Sequence, residues 1–120
     1  MALVNQVTKK VRMSVTSIVK YQILTHCYLN NISITDADLN CLTLLAEEGE
    51  TELNEFCKLG FDNDIFKSPQ SVRNAVNKAE RKELIVKSGD GRKVIKINPG
   101  MNVQTKAPIL LDFKFAAIES

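Results

Sequence analysis

Groups suited to chemistry are scarce in this chain of 120 residues: it has one histidine, His26, and three widely spaced cysteines, Cys27, Cys41 and Cys57. A metal site of cysteine and histidine wants closely paired ligands, so no metal and no cofactor are expected. Each cysteine sits among apolar residues and their number is odd, as fits buried thiols in a reducing compartment. No glycine-rich phosphate loop, nucleophile elbow or paired-ligand motif is present. His26 beside Cys27 makes no catalytic pair on an extended segment, because adjacent side chains there point to opposite faces. No catalytic residue is expected, and the chain reads as a non-enzyme.

A run of apolar residues long enough to cross a bilayer is also missing, and the opening MALVNQVTKKVRMSV lacks the layout of a signal peptide. The expectation is a cytoplasmic protein of a host cell with no membrane partner. Nor is there an excess of charge: 16 Lys and Arg against 14 Asp and Glu leave a net +2. A sequence-blind nucleic-acid coat carries far more, so any such role rests on where the charges stand.

What is present is patterned, over a length that suits one domain. Between Val11 and Leu29 the odd positions are mostly apolar and the even ones mostly polar. That alternation, rich in Val, Thr, Tyr and Ile, predicts an extended segment, with a bend near Ser17 or a helical piece after it. Asn30-Asn31 then breaks the pattern. Thr35 is an N-cap, Asp36 and Asp38 suit the first turn, and Leu39, Leu42 and Leu45 form a helical stripe ending at Glu47-Glu48-Gly49. A second helix is predicted from Thr51 to about Leu59, closed by Gly60. Asp62-Asn63-Asp64 reads as a turn and cap, without the alternating ligands of a calcium loop.

The strongest signals lie in KSPQSVRNAVNKAERKELIVKSGDGRKVIKI, Lys67 to Ile97. Ser68 caps a helix and Pro69 takes its first position. Val72, Ala75, Val76 and Ala79 form a narrow inner stripe. Gln70, Asn74, Asn77 and Arg81 fall opposite, flanked by Ser71, Arg73 and Lys78. Asparagine and serine are weak helix formers, so something other than helix stability has placed them there. Leu84-Ile85-Val86 starts a strand, Ser88-Gly89-Asp90-Gly91 turns, and Arg92 to Ile97 returns. After Pro108, the residues Ile109, Leu111, Phe113 and Phe115 alternate with Leu110, Asp112 and Lys114, which predicts an amphipathic strand able to pair with the N-terminal one.

Two helices, a capped helix and a hairpin follow the order of a winged helix-turn-helix. The stretches ISITDADLNCLTLLAEEG, TELNEFCKLG and SPQSVRNAVNKAERKELIVKSGDGRKVIKINP resemble MarR-type regulators and the winged-helix domains of small plasmid replication initiators, over about residues 32–98. Including the ILLDFKF tail, the chain is loosely similar to a small winged-helix protein of crAss-like tailed bacteriophages. MarR-type proteins dimerise through long helices outside the wing, whereas both flanks here read as β. The expectation is an α+β domain: a winged-helix core at 32–98 with β segments at 1–31 and 99–120.

The resemblance implies that the third helix enters the major groove of duplex DNA and the wing touches backbone or minor groove. Gln70, Asn74 and Asn77 would then meet base edges, and Arg73 guanine or phosphate. Lys67, Ser71, Lys78, Arg92 and Lys93 would hold phosphates, joined by free N–H groups at the helix start by Ser68. The role implied is that of a transcription regulator or replication-associated factor of phage or plasmid type. A second class stays open: a virion structural or assembly protein that associates with itself or with other phage proteins through Ile109, Leu111, Phe113, Phe115 and the N-terminal strand.

Overall fold

The computed structural model describes residues 2–12, 14–106 and 110–119, and in the first and last of these stretches the backbone alone. Those two stretches are strands, β1 (Ala2–Arg12) and β5 (Leu110–Glu119), paired antiparallel with each other as a separate two-stranded ribbon. Val7 lies opposite Phe115, Lys9 opposite Phe113 and Val11 opposite Leu111, with a register shift between Leu3 and Asn5. The ends of the chain therefore pair, as their alternating patterns predict. Ile109 lies outside the described residues.

The extended reading of 11–29 holds only to Arg12. Val15–Leu29 is a helix, α1, so within the expected extended segment at 1–31 it is the helical alternative that holds for this stretch. Ser14 caps it, its hydroxyl accepting the Ser17 N–H at 3.2 Å. Val19, Ile23 and Cys27, four apart, line its buried row beside Ile18. The odd-position alternation was a coincidence of that row with apolar residues that stay outside, among them Tyr21 and Leu29.

The core follows. α2 (Asp36–Glu48) starts at its Thr35 cap, with Asp38 N–H donating to Thr35 Oγ1, and stops at Gly49 with a positive φ of 77°. β2 (Thr51–Glu52) takes the two residues expected to open the next helix, because they pair with Ile95 and Val94. The helix itself, α3 (Leu53–Asp62), begins where the Glu52 carboxylate accepts the Asn54 and Glu55 N–H groups. Gly60, expected to end that helix, lies buried inside it, where α3 crosses Val72. α4 (Pro69–Arg81) has the expected cap and stripe: Ser68 Oγ accepts the Ser71 N–H, and Val72, Ala75, Val76 and Ala79 are buried.

β3 (Ile85–Ser88) and β4 (Val94–Ile97) make the hairpin, joined by a 3₁₀ turn at Asp90–Arg92 with positive φ at Gly89, Gly91 and Arg92. β4 is central in the three-stranded sheet β2-β4-β3. One core joins Ile23, Leu42, Leu45, Phe56, Val72, Val76, Leu84 and Ile95, all at most 1% exposed. Beyond the hairpin, the chain is tied to α1 by a reciprocal pair: Gln22 Nε2 donates to the Gln104 carbonyl at 2.9 Å, and Gln104 N–H donates to Gln22 Oε1 at 2.7 Å. Among the described residues no helix is long and apolar enough to cross a membrane.

Candidate nucleic-acid interface

Burying the Val72, Ala75, Val76 and Ala79 stripe forces the rest of α4 outward. At 100° per residue, Gln70, Asn74 and Arg81 fall within one narrow sector directly opposite the core, and all three are exposed. Gln70 Nε2 donates to Asn74 Oδ1 at 3.0 Å. This contact fixes both amide orientations and leaves the Asn74 amide hydrogens and Gln70 Oε1 facing out, a donor and an acceptor one turn apart. Arg81 adds an exposed guanidinium two turns further along. The expected contact set does not include it, although helical spacing alone places it in the row.

The flanking residues are engaged with neighbouring elements. Arg73 donates to Asn54 Oδ1 on α3. Asn77 Oδ1 accepts from Lys87 Nζ on the wing at 2.6 Å. Lys78 turns to the other side, its Nζ lying 2.6 Å from Asp38 Oδ2 on α2. Glu80 holds two wing cations, Lys87 at 3.5 Å and Arg92. The structure therefore brings Gln70 and Asn74 together with Arg81 in an open row, while Arg73, Asn77, Lys78 and Arg92 already have partners within the fold.

The helix start is less open than its sequence suggests. Pro69 has no N–H, and Ser68 Oγ takes the Ser71 N–H at 3.1 Å while contacting Ser71 Oγ at 2.9 Å. That leaves the Gln70 N–H as the first-turn donor for an anion. Lys67 just before the helix and Lys93 on the wing are exposed. Neither forms an ion pair among the described residues. Leu111, Phe113 and Phe115 have register positions on β5 opposite Val11, Lys9 and Val7. Among the described residues no group of three or more His, Cys, Asp or Glu side chains is gathered for a metal ion.

α2, α3 and the outward-facing α4, with the sheet β2-β4-β3 and the β3–β4 wing, define a winged helix-turn-helix, extended by α1 and the terminal ribbon. The sequence matches no family model and no curated protein. Among solved structures the chain is similar to a zinc uptake regulator complexed with zinc and DNA, at a TM-score of 0.56 and 16% identity, over 71% of this chain and 57% of that one. The chain thus spans less than two thirds of that regulator's length, and at this identity the likeness is one of fold.

Proposed function

We propose that the protein binds duplex DNA through α4 and the wing, as a regulator or replication-associated factor of phage or plasmid type. The observation that carries this reading is the open row of Gln70, Asn74 and Arg81, exposed and without an acidic side chain in it. Its chemistry suits base edges: an amide pairs bidentately with adenine and a guanidinium with guanine. The DNA complex of the structural neighbour adds support, since it shows the fold in use on that ligand. The zinc in that complex is a feature of that regulator and plays no part in this proposal. The mechanism is binding alone: Lys67, Lys93 and the Gln70 N–H set register on phosphates, and the row on α4 selects bases.

Fluorescence anisotropy on a mixed pool of duplex DNA, repeated over a salt series, tests this. Binding that weakens steeply with salt is expected, and absence of binding at low salt removes the proposal. Within a selected site, Asn74→Ala is expected to cost about 1–3 kcal/mol of discrimination. Equal affinity for all sequences before and after the change would show that Asn74 reads nothing.

The terminal ribbon favours a second reading, assembly into a virion or other large structure. A two-stranded ribbon is marginal by itself, and its register places Val7, Lys9, Val11, Leu111, Phe113 and Phe115 on one face, apolar except for Lys9. On this reading, removal of residues 107–120 abolishes assembly and leaves the helical core folded. Normal assembly of the shortened chain would dismiss it.

A further inference from the structure

Four of the five large apolar side chains that the described residues expose stand on α1: Tyr21 at 50%, Leu24 at 40%, Tyr28 at 81% and Leu29 at 72%. They do not belong to the open row on α4, and the core uses the other side of α1, through Ile18, Val19, Ile23 and Cys27. Tyr21, Leu24, Thr25 and Tyr28 have helical spacing three, four and seven apart and so form one stripe along the helix.

Two properties of the stripe point to what covers it. It is almost uncharged: α1 has no acidic residue, and Lys20 and His26 are its only basic ones. A basic partner would find no counter-charge there, and an acidic partner or a membrane surface would find a single lysine where it wants several. The stripe is also symmetric along its length, with a tyrosine at each end and Leu24 and Thr25 at the centre. A two-fold contact requires a surface complementary to itself. Neutral hydroxyl and apolar groups satisfy this, and the symmetric order satisfies it in an antiparallel sense.

We infer that α1 is a homodimer contact, packed antiparallel on α1 of a second copy about a two-fold axis at Leu24 and Thr25. In that arrangement Tyr21 of one copy lies against Tyr28 of the other, Leu24 packs on Thr25 of the other copy within about one residue's rise of its own mate, and the stem of Lys20 covers Leu29 of the other copy. The two Lys20 ammonium groups stand about 13 Å apart along the helices, beyond the range at which they repel strongly in physiological salt. One helix pair is at the small end of protein interfaces, so the dimer forms at micromolar concentration. This inference is independent of DNA binding by α4.

The test is sedimentation velocity of the full chain over micromolar concentrations, with the fold checked by circular dichroism. The wild type is expected to reach twice the chain's mass, and the Leu24→Glu/Tyr28→Glu variant to remain a monomer with an unchanged spectrum. A monomeric wild type throughout, or a variant that dimerises as well as the wild type, overturns the inference. Cysteine cross-linking supplies a second, geometric readout. Leu24→Cys should join two chains rapidly on mild oxidation, while Tyr28→Cys, whose mates lie about two helical turns apart, should not. Background is low because Cys27, Cys41 and Cys57 are buried. Equal cross-linking at both positions would rule out the antiparallel register.

Discussion

Burial pushes the Cys41 thiol up to about 12, with the charges of Asp38 and Cys57 acting in the same direction. Burial also raises Cys27 and Cys57. The unfolded chain loses the Cys41 proton near 9, before the folded one does. Its contribution to stability is therefore complete below pH 9 and is lost progressively as pH rises from 9 towards about 12. Thermal melts from pH 8 to 11 are expected to show a falling Tm that a Cys41→Ala variant shows less. A thiol reagent at pH 8 should leave the native protein unlabelled and titrate all three cysteines once it is unfolded.

Beside Cys41, the buried Asp38 has one compensation. Its Oδ2 has no hydrogen-bond partner among the described residues, and Lys78 Nζ lies 2.6 Å from it as a charge contact. Lys78→Ala would leave that carboxylate buried and unpaired, at a cost of about 1–2 kcal/mol given the half-exposed ammonium. Urea denaturation measures this loss. Lys78→Ala should leave the salt dependence of DNA binding unchanged if the lysine is committed to Asp38. A flatter dependence would show that Lys78 reaches a phosphate, as its position on the helix implies.

At the scale of elements, the crossing of α3 on α4 depends on the missing side chain of Gly60. A Cβ there would stand 2.9 and 3.0 Å from the two Cγ atoms of Val72, which is fully buried and β-branched. Helix propensity alone favours Gly60→Ala by about 1 kcal/mol. The clash outweighs it, and a net loss of about 1–3 kcal/mol is expected in a denaturant melt. A stabilised variant would mean that the helices separate without cost. Sequence reading missed this glycine because one letter looks the same at a helix end and at a helix crossing. Where a cap and a stripe agree, as at Ser68-Pro69 with Val72, Ala75, Val76 and Ala79, the element was legible. α1 was not, since its exposed tyrosines and leucines obscured the row of Val19, Ile23 and Cys27 and mimicked a strand. β2 was illegible for another reason: only its pairing with β4 makes Thr51–Glu52 a strand. For the site, helical spacing puts Gln70, Asn74 and Arg81 on the outer face of α4, but Arg73, Asn77 and Lys78 are held by α3, the wing and α2, and the wing's Arg92 folds back to Glu80 of α4, pairings of which spacing along one helix contains no trace.

For the whole molecule, a net charge of +2 means that long-range attraction to DNA is weak and affinity must come from local contacts. Lys67, Arg81 and Lys93 are exposed and make no ion pair among the described residues. Each phosphate contact contributes about −0.9 to the slope of log K against log salt, so one chain with Lys67 and Lys93 on phosphates and Arg81 on a base has a slope of about −2. Arg92 adds to this only by leaving Glu80. If α1 joins two copies on one duplex, both sets of contacts form in a single event and the slope approaches about −4. The same titration with the Leu24→Glu/Tyr28→Glu variant should return it to about −2, with a loss of preference for two-fold symmetric sites. A slope of about −2 in both proteins would mean that each copy meets DNA alone. A slope near zero in both would mean that α4 and its cations serve the fold and not the duplex.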